Sequence, residues 1–239
     1  MPIKAILFDK DGTLIDFNAT FGPATALVIR DLAEDDADTE AALAKAIQFN
    51  METFAIAETS VLIAGSLENI VVEWMKHLPG STLEEMMQRV DDAYEIHSLK
   101  TLAPFEFLKP TLDKLKDMGM PLGIATNDSA TTATAHMNAL GLTDRFTQII
   151  GFDSGYGEKP GPGMVMAFVE HMGLAARNVM MVGDSTHDLK AARAAGVIPV
   201  AVTSGMADDD ALAPFAEHVL PDISHLPALV EKLNEQVSA

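Results

Sequence analysis

No cysteine occurs in the 239 residues, which removes disulfides, thiolate metal sites and a cysteine nucleophile from consideration. The absence fits a reducing cytosol, and the cytoplasm is the expected compartment. Basic residues are scarce: 16 Lys and Arg face 35 Asp and Glu, a formal net charge of −19. Phosphate backbones are bound by basic surfaces, so no nucleic-acid partner is expected. Long uncharged apolar runs are also missing, so no segment is expected to span a membrane. The apolar stretch after Met1-Pro2-Ile3-Lys4 is short and is interrupted by Asp9, Lys10 and Asp11, so it is not expected to serve as a signal-peptide core. There is no internal repeat and no low-complexity tract, and nothing fixes an oligomeric state.

What is present is a chain that is 48% hydrophobic, enough to bury the core of one large domain or two small ones. The run Ala5-Ile6-Leu7-Phe8 reads as a buried parallel strand. From Ala103 onward, β-rich runs alternate with helical segments, the pattern of βαβ units. The predicted strands are Pro121–Thr126, Gln148–Gly151, Val179–Val182, Val197–Val202 and His218–Leu220. The predicted helices are Lys109–Met118, Ala130–Leu140, Pro162–Met172 and Asp188–Ala195. Each is followed by a glycine suited to a left-handed C-terminal cap: Gly119, Gly141, Gly173 and Gly196. A closing helix is expected from Ser224.

Between Asp16 and Leu102 no strand is predicted. The spacing there is helical, with an acidic break at Glu34–Asp38, a Pro79-Gly80 turn, and a Thr82-x-x-Glu85 capping box opening a helix through Ile96. Trp74 and Met87 are expected in the packing of this segment. The fold class is therefore α/β, a Rossmann-like parallel sheet flanked by helices, interrupted after its first strand by a helical block. The expected boundaries are 1–15 and 103–239 for the α/β part and 16–102 for the insertion.

The chemistry gathers at strand ends. Asp9-x-Asp11-Gly12-Thr13 puts two carboxylates at the carboxyl edge of the sheet, where open α/β folds bind ligands. One could attack a substrate and the other handle a proton, with both drawing in a hard cation; a plain Asp-Gly turn is the alternative. Gly12 allows a sharp exit and offers an amide to an anion. Thr126-Asn127-Asp128 precedes a helix, where a hydroxyl and free amides either bind an anion or simply cap the helix. Lys159 lies in a loop before Pro160-Gly161-Pro162. Asp184 and Asp188 are one helical turn apart and can face the same side. His187 reads as a helix-start residue rather than a metal ligand.

Asp9-x-Asp11-Gly12-Thr13, Ile124-Ala125-Thr126-Asn127, Glu158-Lys159-Pro160 and Gly183-Asp184-Ser185-Thr186-His187-Asp188, in that order, resemble the four motifs of the haloacid dehalogenase-like superfamily. The likeness spans nearly the whole chain and is nearest to the phosphoglycolate phosphatase type. It implies a helical (C1-type) cap at the insertion and a phosphatase acting on a small phosphorylated metabolite, with 2-phosphoglycolate as one such substrate. It implies Asp9 as nucleophile and Asp11 as general acid/base. Gly12, Thr126, Asn127 and Lys159 would bind the phosphoryl group, and Asp9, Asp11 and Asp184 would hold Mg²⁺. Asp188 would orient Lys159 or a metal-bound water.

Asp11 argues against two relatives: dehalogenases lack an acid there, and phosphonatases replace it with a small residue. A sugar phosphomutase is the alternative, although Thr13 stands where mutases usually carry valine. A catalytically idle binding module fits less well, because every charged position is filled. The net charge disfavours an anionic substrate globally. Because salt screens beyond about 8 Å, local cations must bind it. The insertion's own cations, Arg30, Lys45, Lys76, Arg89 and Lys100, are few, which suits a small leaving group.

Overall fold

Four consecutive apolar residues build the centre of the sheet. Strand β1 (Ala5–Phe8) is buried at every position, as a strand covered on both faces must be. The structure, a computed structural model, describes residues 2–57, 59–64 and 66–238; the expected outer limits, residues 1 and 239, lie outside these. After β1 come five helices, α1 (Phe17–Ala33), α2 (Ala37–Ala46), α3 (Val61–Ala64), α4 (Leu67–Met75) and α5 (Leu83–Lys100). The chain then alternates through α6 (Leu108–Asp117), β2 (Leu122–Ala125), α7 (Ala130–Ala139), β3 (Phe146–Ile150), α8 (Gly163–Met172), β4 (Val179–Gly183) and α9 (Thr186–Ala195). It ends with β5 (Ile198–Val202), α10 (Asp209–Leu212), β6 (His218–Leu220) and α11 (Leu226–Ser238).

The six strands form one sheet in the order β3-β2-β1-β4-β5-β6, every pair parallel. The α/β Rossmann-like reading is thus correct. Leu7 pairs with Gly123 of β2 on one side and with Met181 of β4 on the other. The strand order reverses at β1, and ligands of open α/β sheets bind at such a switch point, beyond the strands' carboxyl ends. Leu7, Ala125, Ile150, Met164, Phe168 and Met181 pack into one buried cluster.

Boundaries differ from expectation at two informative places. β3 begins at Phe146, two residues early, because Phe146 pairs with Leu122 through a register shift at Leu122/Gly123. Helix α9 begins at Thr186 rather than Asp188, because Ser185 caps it. Gly119, Gly141, Gly173 and Gly196 all take the left-handed φ expected of helix ends.

The chain divides into two compact units, residues 2–16 with 104–238 and residues 17–103. The second unit is helical and has its own core. Trp74 is fully buried there, donates from Nε1 to the Leu43 carbonyl at 3.1 Å, and stacks with Tyr94. Met87 packs against the same cluster. The acidic break is shorter than predicted: Glu34 and Asp35 take left-handed φ, Asp36 caps α2, and Asp38 already lies in that helix. The Thr82–Glu85 capping box forms. Its helix continues past Ile96 to Lys100, with His97 and Ser98 buried on it.

Candidate active site

Asp9 leaves β1 with its amide donating to the Val182 carbonyl at 2.8 Å, so the ends of β1 and β4 are tied together where their acids emerge. The chain then turns at Gly12, whose φ of +84° is open to glycine and strained for other residues. A Cβ there would lie 2.3 Å from Asp184 Oδ2. A second glycine does the same from the other end of the fold, since a Cβ on Gly205 would lie 1.8 Å from that oxygen. Beside it, Ser204 Oγ donates to the Gly12 carbonyl at 2.8 Å. Thr13 Oγ1 donates to Asp184 Oδ1 at 3.3 Å. The Asp184 carboxylate is thus held in a cradle built from loops after β1 and β5.

Lys159 reaches into the sheet edge from the loop before α8. Its Nζ lies 2.5 Å from Asp9 Oδ1, 2.7 Å from Asp188 Oδ1 and 2.7 Å from the Ala125 carbonyl. Asp188 divides its two oxygens. Oδ2 accepts from Ser185 N at 3.0 Å and from Ser185 Oγ at 2.7 Å, closing the capping box of α9; Oδ1 faces Lys159.

Asn127, assigned to the substrate by the resemblance, spends its side chain on Lys159. Nδ2 donates to the Lys159 carbonyl at 2.9 Å, and Oδ1 accepts from the Lys159 amide at 2.9 Å. The cap of α7 is neither Thr126 nor Asp128 but Ser129, which accepts from Thr132 N. Thr126 is buried; its Oγ1 accepts from Asp128 N at 3.1 Å and stands 3.5 Å from Asp11 Oδ2.

Asp9, Asp184 and Asp188 can each offer an oxygen such that all lie within 4.8 Å of one another, among the described residues. Neither Asp11 nor His187 belongs to this group. The Asp11 carboxylate is drawn aside by Lys10, whose Nζ lies 2.6 Å from Oδ1.

Burial dominates the electrostatics. It pushes the Asp9 carboxyl up to about 7, against the pull of Lys159 and with the help of Asp188 and Asp11. Burial likewise raises Asp184 well above the carboxylate range, reinforced by Asp9 and Asp188. Asp11 is raised by burial against the attraction of Lys10. Burial alone would lower Lys159, but Asp188 and Asp9 hold its pKa above the usual lysine value. Three buried carboxylates around one ammonium leave two negative charges without a partner when all are ionised. Such a site fits a divalent cation, and its all-oxygen donor set suits Mg²⁺ rather than Zn²⁺.

Four residues of this region escape a reading of the sequence. Lys10 looks like the variable position of Asp-x-Asp, yet it is fully buried. His136 sits mid-helix with no motif around it, yet its Nδ1 lies 3.2 Å from Lys10 Nζ. Ser204 and Gly205 follow the last buried strand and carry no distinguishing spacing. The one available signal is Lys10 itself, a base set between two acids just past a buried strand.

A family model described as haloacid dehalogenase-like hydrolase matches residues 3–196. A phosphoglycolate phosphatase from Neisseria gonorrhoeae (strain ATCC 700825 / FA 1090) is 30% identical over 236 residues, covering 98% of this chain and 94% of its own length. Among solved structures, a Bacteroides fragilis protein described as a haloacid dehalogenase-like hydrolase superposes with a TM-score of 0.69 at 25% identity, covering 94% of this chain and 99% of its own. A Thermotoga maritima protein described as a beta-phosphoglucomutase superposes with a TM-score of 0.68 at 19% identity, covering 97% and 100%; that likeness speaks to fold alone.

Proposed function

The chain belongs to the haloacid dehalogenase-like hydrolase family, and on that premise we propose a Mg²⁺-dependent phosphatase that cleaves small phosphomonoesters through a phosphorylated Asp9. The observation that carries this reading is the buried Asp9–Lys159 pair, Oδ1 to Nζ at 2.5 Å, set beside Asp184 and Asp188. A carboxylate so paired is fixed in direction and lies next to the cation that an incoming phosphoryl group needs.

In the first half-reaction Asp9 attacks phosphorus as the ester P–O bond breaks, and Asp11 gives its proton to the leaving oxygen. In the second, Asp11 takes a proton from water as that water attacks phosphorus and the acyl–phosphate bond breaks. Asp9 returns as carboxylate and Asp11 as acid, so the protons balance. An Asp raised by burial is suited to carry that proton. Thr126 and Lys159 would hold phosphoryl oxygens, Gly12 would offer its backbone, and Asn127 would fix Lys159. Asp9 and Asp184 would hold Mg²⁺, with Asp188 beside them and the Asp11 segment completing the set. The ion would neutralise charge on the transferring group and on the crowded acids.

The unit spanning 17–103 is proposed as the inserted helical cap. The proposed compartment is the cytoplasm, supported by the cysteine-free composition; no described helix is long and apolar enough to cross a membrane. Because a relative 30% identical is named phosphoglycolate phosphatase, 2-phosphoglycolate is the first ester to test. Phosphate release should be measured across a panel of phosphorylated metabolites, with and without Mg²⁺. The reading requires release that a chelator abolishes and Mg²⁺ restores; full-rate release in excess chelator would sink the metal's role. Conversion of a sugar 1-phosphate to its 6-phosphate without release would favour the mutase instead.

A further inference from the structure

Lys10 is 0% exposed, although a lysine ammonium is among the costliest groups to bury. Its Nζ lies 2.6 Å from Asp11 Oδ1, 2.9 Å from Asp128 Oδ2 and 3.2 Å from His136 Nδ1. These acceptors come from the loop after β1, the loop after β2 and helix α7. Burial, then Lys10, depress His136 to about 3, so its ring is neutral and Nδ1 accepts from the ammonium. Asp128 is in turn fixed by its own Oδ1, which accepts from Ser129 N at 2.8 Å. Lys10 is thus anchored from behind by two residues of the β2–α7 region, and toward the site it meets one oxygen of Asp11. The other oxygen, Oδ2, accepts from Thr126 Oγ1 at 3.5 Å, the residue proposed above to hold a phosphoryl oxygen.

We propose that Lys10 is a positioning residue that grips Asp11 by Oδ1 and thereby presents Oδ2 to the leaving oxygen. The proposal rests on the phosphatase reading with Asp11 as acid/base. Because Lys10 holds only Oδ1, Asp11 can pass its proton through Oδ2 without breaking the contact that orients it. The Asp128–His136 anchor makes that orientation a property of the sheet edge rather than of the exposed turn. A purely structural role would instead have Lys10 neutralise buried acids, with no bearing on which oxygen Asp11 presents.

The two roles separate by leaving group. A poor leaving group such as an alkoxide needs a proton from Asp11, whereas p-nitrophenolate does not. The specificity constant kcat/KM reports steps up to loss of the alcohol, so it isolates this first proton transfer. Lys10→Met should lower kcat/KM for an alkyl phosphate by ~10²-fold while changing that for p-nitrophenyl phosphate by about threefold or less. Asp11→Asn should show the same discrimination, and the double variant should be no worse than Asp11→Asn alone.

If Lys10→Met does not fold, Lys10→Gln, which keeps a neutral donor, should show the same ordering to a lesser degree. Equal losses on both esters, or losses that add to those of Asp11→Asn, would overturn the proposal and leave the phosphatase reading intact. Wild-type protein that releases no phosphate from either ester would overturn that reading, and the proposal with it.

Discussion

Lys159 and Asp188 face each other across 2.7 Å, both almost wholly buried. Asp188 uses its other oxygen to cap α9, so the helix terminus and the Lys159 ammonium are fixed by a single carboxylate. Asp188→Asn keeps the shape and removes one negative charge from the Asp9, Asp184, Asp188 group. The expected outcome is a Mg²⁺ requirement raised about 10–100-fold, as for other groups that support a metal site. Activity measured against Mg²⁺ concentration reads it; an unshifted curve would mean that Asp188 only caps the helix.

Gly205→Ala tests the cradle around Asp184. The new Cβ would fall 1.8 Å from Asp184 Oδ2, so the carboxylate or the loop must move. A misplacement of that order is expected to cost ~10²-fold in turnover, with the thermal midpoint nearly unchanged. Wild-type turnover would show that the loop yields and the carboxylate does not.

How much of this was legible in the sequence follows from the range of the contacts. Asp9, Lys159 and Asp184 each follow a buried strand or precede a glycine-proline turn, so local pattern announces them, and their order along the chain does the rest. The sheet was legible because β1 and β4 are uninterrupted apolar runs. Lys10, by contrast, depends on Asp128 and on His136, 126 positions away, and no local signal reports such a meeting. The same holds for Ser204, which reaches Gly12 across 192 positions. Asn127 was visible as a motif residue, but its amide points back to the Lys159 backbone; hydrogen-bond direction is not written in residue type. The early start of α9 was readable in principle, since Ser185-x-x-Asp188 has the form of a capping box.

His136 predicts an acid-sensitive fold. Its ordinary pKa of 6.5 falls to about 3 in the native protein, through burial and then Lys10, with Asp128 opposing. Between those values the unfolded chain binds a proton that the folded chain refuses. The contribution is therefore complete above pH 6.5 and is lost as pH falls toward 3. The Asp9 shift runs the other way, from 3.8 up to about 7, so stability from that group declines as pH rises through the same window. Comparison with His136→Gln cancels the Asp9 contribution. Wild-type stability relative to the variant should fall by about 3 kcal/mol between pH 6.5 and 4. Parallel denaturation midpoints at both pH values would contradict it.

Trp74 is the only tryptophan, so its emission reports the helical unit. Trp74→Phe leaves the Leu43 carbonyl without its donor in a buried place, at an expected cost of about 1–3 kcal/mol. Urea unfolding followed by far-UV circular dichroism measures it. A change below about 0.5 kcal/mol would mean that the carbonyl finds another partner.

The most direct test of the central claim is to find the phosphoryl group on Asp9. Wild-type protein mixed with labelled ester in the presence of Mg²⁺ is quenched in acid within one turnover. It is then reduced with borohydride, which converts an acyl phosphate of aspartate to homoserine, and mapped by mass spectrometry. The account predicts homoserine at position 9 and nowhere else, with neither label nor turnover in Asp9→Asn. Rapid phosphate release with position 9 unmodified, or undiminished release by Asp9→Asn, would contradict it.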